Sequence, residues 1–90
     1  MPRYDITVTG RVQGVGFRYF AQLEASQREL SGWVRNEPDG SVRMEAQGDE
    51  ENLHAFMRAL GQARYPAEVD QVIPVKLNEK SEPSKFRIVH

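Results

Sequence analysis

The sequence predicts an α+β domain in which two helices cover one face of an antiparallel sheet. Three observations carry this. Short segments of alternating apolar residues recur along the chain, two segments with helical spacing separate them, and residues with turn chemistry mark the junctions. The resulting order is β-α-β-β-α-β with a short terminal strand. Ninety residues are expected to form one domain, 1–90, and a chain this short needs a thin two-layer design to bury a core.

The first strand is read over Arg3 to Thr9, with Tyr4, Ile6 and Val8 on one face and Arg3, Asp5, Thr7 and Thr9 on the other. Gly10-Arg11-Val12-Gln13-Gly14-Val15-Gly16-Phe17-Arg18 follows. Residues from about Arg18 to Glu29 are rich in helix formers, and Phe20, Leu23 and either Gln27 or Leu30 mark a narrow apolar stripe. Gly32 to Asn36 reads as a second strand. Glu37-Pro38-Asp39-Gly40 is a turn, because proline presets φ and glycine accepts positive φ. Ser41 to Gly48 alternates again, with Val42, Met44 and Ala46 on one face, completing a hairpin.

Asp49-Glu50-Glu51 opens the second helix, with Asp49 as its cap and acids at the positive end of its dipole. Leu53, Phe56, Met57 and Leu60 follow the spacing i, i+3, i+4, i+7, and Gly61 lies where the helix should end. Arg64-Tyr65-Pro66 is a break. Ala67 to about Lys76 is a fourth strand, whose Pro74 marks an edge or an end. Asn78 to Ser84 reads as polar loop and Lys85 to His90 as a last short strand. With right-handed crossovers, this order gives the ferredoxin-like βαββαβ sandwich.

Composition narrows the function. Twelve basic residues against thirteen acidic leave a net charge of −1, which gives no long-range attraction to nucleic acid or an anionic membrane. The absence of cysteine excludes disulfides, thiolate metal sites and a cysteine nucleophile. Met1-Pro2-Arg3-Tyr4-Asp5 has no apolar run, and no window approaches ~18 apolar residues, so a cytoplasmic, non-membrane protein is expected.

The chemistry concentrates in residues 10–18. Three glycines within seven positions let backbone N–H groups converge without Cβ atoms in the way. A helix starting just beyond adds its unpaired amides and the positive end of its dipole. Together these form a cradle for a phosphate, and the fork of Arg18 can hold two of its oxygens. The run is neither a Walker loop nor a dinucleotide fingerprint. Taken alone it reads equally well as a tight strand-to-helix turn with a surface arginine. Asn36 ends the second strand. It is either a turn-initiating asparagine or a neutral amide that reaches over the glycine loop to a water molecule. Phe17, Tyr19 and Trp33 are read as packing residues first, His54 as solvent-facing and His90 as strand edge.

Gly-Arg-Val-Gln-Gly-Val-Gly-Phe-Arg at 10–18, together with Gly-Trp-Val-Arg-Asn-x-x-Asp-Gly-x-Val at 32–42, resembles the acylphosphatase family. The spacing between the blocks also matches, and the resemblance extends over almost the whole chain. It implies hydrolysis of a carboxyl–phosphate anhydride to carboxylate and inorganic phosphate. The family's phosphate-binding arginine corresponds to Arg18 and its water-orienting asparagine to Asn36. Its loop amides correspond to Gln13, Gly14, Val15, Gly16 and Phe17. No cofactor or metal, a small acyl phosphate as the only partner and a monomer are expected. The chain departs from the family's usual Leu-Gly-Leu at Arg28-Glu29-Leu30: Arg28 replaces an apolar packing residue and Glu29 a helix-ending glycine.

The chemistry suits these residues. The leaving carboxylate has a conjugate acid of pKa about 4 and needs no general acid. The loose phosphoryl transition state asks for charge stabilisation and positioning, which arginine and amide dipoles supply. Two other classes are weaker. A binding module would use the same cradle without turnover. RNA recognition would need aromatic residues on the third strand, where the chain has Ser41-Val42-Arg43-Met44-Glu45-Ala46.

Overall fold

The computed structural model describes residues 1–81 and 84–90 of the chain. Seven elements follow one another: β1 (Arg3–Arg11), α1 (Phe17–Gln27), β2 (Ser31–Asn36), β3 (Val42–Gln47), α2 (Glu50–Gly61), β4 (Glu68–Leu77) and β5 (Phe86–Ile88). The strands form one sheet in the order β4-β1-β3-β2-β5. β1 pairs antiparallel with β3 and β4, and β2 antiparallel with β3. β5 joins β2 in parallel, so the sheet is mixed. β4 is an edge strand, which accommodates Pro74 as expected. The polar-loop reading of 78–84 includes residues 82 and 83, which lie outside the described residues.

The core lies between the sheet and both helices. Ile6 and Val8, Val34, and Val42, Met44 and Ala46 share one parity of the pleat, and all are buried. Leu53, Phe56 and Leu60 of α2 face them at the spacing read from the sequence. α1 uses the expected stripe only in part: Leu30 is buried and Phe20 packs half-buried against the core. Phe17, Ala21 and Ala25 are buried, whereas Leu23 is 55% exposed. Alanines at two inward positions let this helix lie close to the sheet, with Phe17 and Phe20 packing beside them.

Two further expectations change. Arg3, read as outward-facing, is fully buried. Its Nε donates to Glu45 Oε1 at 2.8 Å and its Nη1 to Gln47 Oε1 at 3.2 Å. Gln47 in turn donates to the Lys80 carbonyl at 2.8 Å and accepts from the Lys80 amide at 2.9 Å. The chain beyond β4 therefore crosses this end of the sheet's second face, and the buried guanidinium has the partners that removal from water demands. Asp49 stands at the N-cap of α2 but makes no side-chain cap hydrogen bond. Glu50 is engaged instead, accepting from the Tyr4 hydroxyl at 2.6 Å and lying 2.8 Å from His54 Nε2. That hydrogen bond from Tyr4 is the first reason the Glu50 carboxyl is held below its ordinary range. His54 is exposed, as expected.

α1 ends at Gln27, two residues earlier than predicted, because Glu29 adopts φ 57. The Leu30 amide donates to the Ala25 carbonyl at 3.0 Å and the Glu29 amide to that of Ser26 at 3.2 Å. This is a Schellman closure with glutamate where glycine is usual. Arg28, expected to cost packing, donates to the Glu24 carboxylate at 2.7 Å and to its carbonyl at 3.0 Å.

Candidate active site

Between β1 and α1 the chain must reverse within residues 12–16. Gly14 and Gly16 make this possible with φ of 74° and 78°. A Cβ at either position would meet no atom within 4 Å, so backbone torsion, and not lack of space, selects glycine. Gly16 is the N-cap of α1, with no side-chain cap and no acidic residue in the first turn. The positive end of the helix is therefore turned toward the loop without neutralisation.

Arg18 occupies that first turn and is half-buried. Its Nη1 lies 3.2 Å from His90 Nδ1. A guanidinium has only donors, so the imidazole nitrogen accepts. His90 is thus not merely a strand edge. The parallel pairing of β5 with β2, continued by the Val89 amide on the Val34 carbonyl at 2.8 Å, carries it to the cleft. That contact depends on a parallel pairing distant in sequence, and no local signal marks it.

Asn36 comes from the other side of β3. The register aligns Val8, Val42 and Asn36 across three strands. Asn36 shares the parity of buried Val34, so its side chain is on the helix side, beside the glycine loop. Its Oδ1 is buried and accepts no hydrogen bond from any described group. Such an orphan is uncommon, and a site that receives a donor from outside the chain is one explanation.

The loop is tied to the β2–β3 turn. Gln13 Nε2 donates to the Glu37 carbonyl at 2.7 Å and to the Ser41 carbonyl at 2.8 Å. Asp39 stiffens the same turn, accepting from Ser41 Oγ at 2.6 Å and from its amide at 2.9 Å. These bonds, the hydroxyl's first, hold its carboxyl below the ordinary range. Gln13 was singled out for its amide alone. The reach of its side chain to residues 24 and 28 positions away could not be read locally.

Gly14, Gly16, Phe17, Arg18, Asn36 and His90 together line a cleft of ≈ 320 Å³. Gln13 and Val15 are in the loop but not in the lining of this cleft. Phe17 is both core and wall, at 2% exposure. Tyr19, expected to pack, is 72% exposed at the rim. Trp33 lies on the outer face of the sheet, with the Arg35 guanidinium 5.0 Å from its ring centre. A larger groove of ≈ 730 Å³ runs between α1 and β5, past Gln22, Glu29 and Arg87, but holds none of the expected site residues. Volume therefore does not single out the cleft; the uncapped helix start and the buried, unpartnered Asn36 Oδ1 do. Among the described residues there is no group of three or more His, Asp or Glu that could hold a metal, and no helix is long and apolar enough to cross a membrane.

Fold and cleft together define a ferredoxin-like domain with an open cleft at its first strand-to-helix turn. The acylphosphatase family model matches residues 4–88. The acylphosphatase of Bacillus licheniformis is 46% identical over 87 residues, covering 97% of this chain and 93% of that protein. The crystal structure of acylphosphatase from Bacillus subtilis superposes with a TM-score of 0.95 at 41% identity, covering both chains completely. An acylphosphatase from Coxiella burnetii superposes with a TM-score of 0.91 at 30% identity, over 98% of this chain and 92% of that one. The chain belongs to the acylphosphatase family, and the family, fold class and enzyme class expected from the sequence are borne out.

Proposed function

We propose that the protein hydrolyses acyl phosphates to carboxylate and inorganic phosphate, with the phosphoryl group held by Arg18 and the loop amides of Gln13 to Phe17, and the attacking water oriented by Asn36. The observation that carries this is the buried, unpartnered Asn36 Oδ1 sharing one cleft with Arg18 and an uncapped helix terminus. An arginine and convergent amides suit a phosphoryl dianion. A neutral carbonyl oxygen accepts a proton-bearing water without setting a negative charge beside that dianion.

Each step then follows from charge and position. Arg18 and the amides stabilise the equatorial phosphoryl oxygens of a loose transition state. Water held at Asn36 attacks phosphorus in line and passes its proton to a phosphoryl oxygen. The acyl oxygen leaves with the bonding electrons as carboxylate, which needs no acid at a conjugate pKa of about 4. No covalent enzyme intermediate and no cofactor take part. A monomer acting in the cytoplasm completes the reading.

The test is phosphate release from benzoyl phosphate in EDTA, with Arg18→Ala and Asn36→Ala beside the parent. Loss of one oriented donor typically costs ~2.7–4 kcal/mol in the transition state, a fall in kcat of about 10²–10³. Losses of at least that order are expected in both variants. Near-normal turnover by either folded variant would remove its assigned role. A folded parent that binds phosphate without turnover would show a binding module.

A further inference from the structure

The glycine loop has two flanks, and only one holds Asn36. On the other, a second cavity of ≈ 280 Å³ opens between the loop, the start of α1 and the α2–β4 connection. Val15, Phe17, Phe20, Ala63 and Ala67 make its apolar lining, with exposed Arg64 at its mouth. Gly16 and Phe17 line both cavities, so the two adjoin at the end of the glycine loop. Strand order explains the arrangement. β2 and β5 lie beyond one edge of β1, bringing Asn36 and His90, while β4 lies on its other edge. The start of β4 is beside the end of β1, where Gly10 pairs with Val69 and Arg11 with Glu68, so the connection into β4 reaches the loop from that side.

In-line displacement places the entering and leaving oxygens on opposite sides of phosphorus. With water on the Asn36 flank, the acyl oxygen departs toward the β4 flank. We propose that the second cavity receives the acyl group of the substrate and favours small apolar acyl groups, aryl ones among them. This rests on the assignment of Arg18 and Asn36 made above. The volume is near the lower end for ligand sites, about 300 Å³. The lining is apolar, as a benzoyl ring requires, and two of its walls, Ala63 and Ala67, are small enough for a larger side chain there to close the space. The bond changes are those of the hydrolysis: P–O forms to water, P–O to the acyl group breaks, and the carboxylate leaves through this flank.

Ala63→Leu fills the cavity from the connection, outside the phosphate cradle. The experiment compares kcat/KM for acetyl phosphate and benzoyl phosphate, with the inhibition constant of inorganic phosphate as a control on the cradle. The expected result is a loss of about 10-fold or more for benzoyl phosphate, less than 2-fold for acetyl phosphate, and unchanged phosphate inhibition. Equal changes for both substrates, or none for either, would overturn the proposal. A second measurement needs no variant. In the parent, benzoylphosphonate should shift the methyl NMR signals of Ala63 and Ala67 by its ring current, whereas inorganic phosphate should not; unmoved methyls with bound benzoylphosphonate would also overturn it. A parent that hydrolyses neither substrate would refute the hydrolase reading itself. Hydrolysis of both with no discrimination would refute only the acyl subsite.

Discussion

Glu29→Gly should make this protein more stable, and the size of the gain can be worked from the end of α1. Glu29 holds φ 57, the left-handed region, and closes the helix through its own amide and that of Leu30. A residue with a Cβ gives up roughly 1–2 kcal/mol there. Glycine removes that strain but has more freedom to lose on folding, about 0.5–1 kcal/mol. The Glu29 side chain is exposed, so little else is lost. The net expectation is a gain of about 0.5–1 kcal/mol, which for a domain of this size raises Tm by roughly 2–8 °C. Urea denaturation at pH 7 measures the difference directly, with Glu29→Ala as the control. Alanine keeps the Cβ, so it should be no more stable than the parent. If glycine and alanine behaved alike, torsional strain at position 29 would not be the cause, and the account of the helix end would be wrong. Activity should not change in either variant, because position 29 is at the opposite end of α1 from the cleft.

Other expectations follow from the sheet and the turn. Glu45→Ala removes the carboxylate that accepts from buried Arg3 at 2.8 Å, and a loss of ~3–5 kcal/mol in urea-derived stability is expected. The Arg3→Met/Glu45→Leu double variant should recover most of that loss, since neither charge is then buried. Gln13→Ala deletes two hydrogen bonds from the loop to the β2–β3 turn, at 2.7 and 2.8 Å. It should cost about 1–3 kcal/mol of stability at 0.5–1.5 kcal/mol per bond, and raise KM through a looser cradle. Asp39 has its folded carboxyl pKa depressed, chiefly by the Ser41 hydroxyl. Its contribution is therefore full above the unfolded value of about 3.9 and is lost as pH falls through the folded value. Asp39→Asn should lower the urea midpoint at pH 7, and the gap from the parent should close as pH falls below about 4.

What could be read from the sequence was whatever one segment decides by itself. The alternation of Ile6 and Val8, the spacing of Leu53, Phe56 and Leu60, and the Glu37–Gly40 turn each specify their element locally, and each recurs in the structure. The helix end does not belong with them: the local pattern runs α1 to about Glu29, and only the family resemblance marks the missing glycine there. Two of the readings that change, at Arg3 and His90, depend on a partner distant in sequence. Arg3 looked solvent-facing on a polar parity, but Glu45, Gln47 and Lys80 gather over it. Leu23 looked like core, but Ala21 and Ala25 are the residues that touch it, and small residues give no hydropathy peak. His90 looked idle until the parallel pairing of β5 carried it to Arg18.

The cleft divides in the same way, and this explains why two short blocks carry so much. The cradle is local: glycines at 14 and 16 set torsions, and the helix that follows brings Arg18 one residue past its start. Asn36 is not local, since it reaches the cradle only through a register that aligns it with Val42 and Val8 across the sheet. Gln13 closes the circuit by binding the loop to the turn that follows Asn36, so the two blocks are coupled by hydrogen bonds as well as by the sheet. A change in the β2–β3 turn can therefore loosen the glycine loop without touching it. The expected signature is a rise in KM from substitutions at Gln13 or Asp39, with the large fall in kcat confined to Arg18 and Asn36.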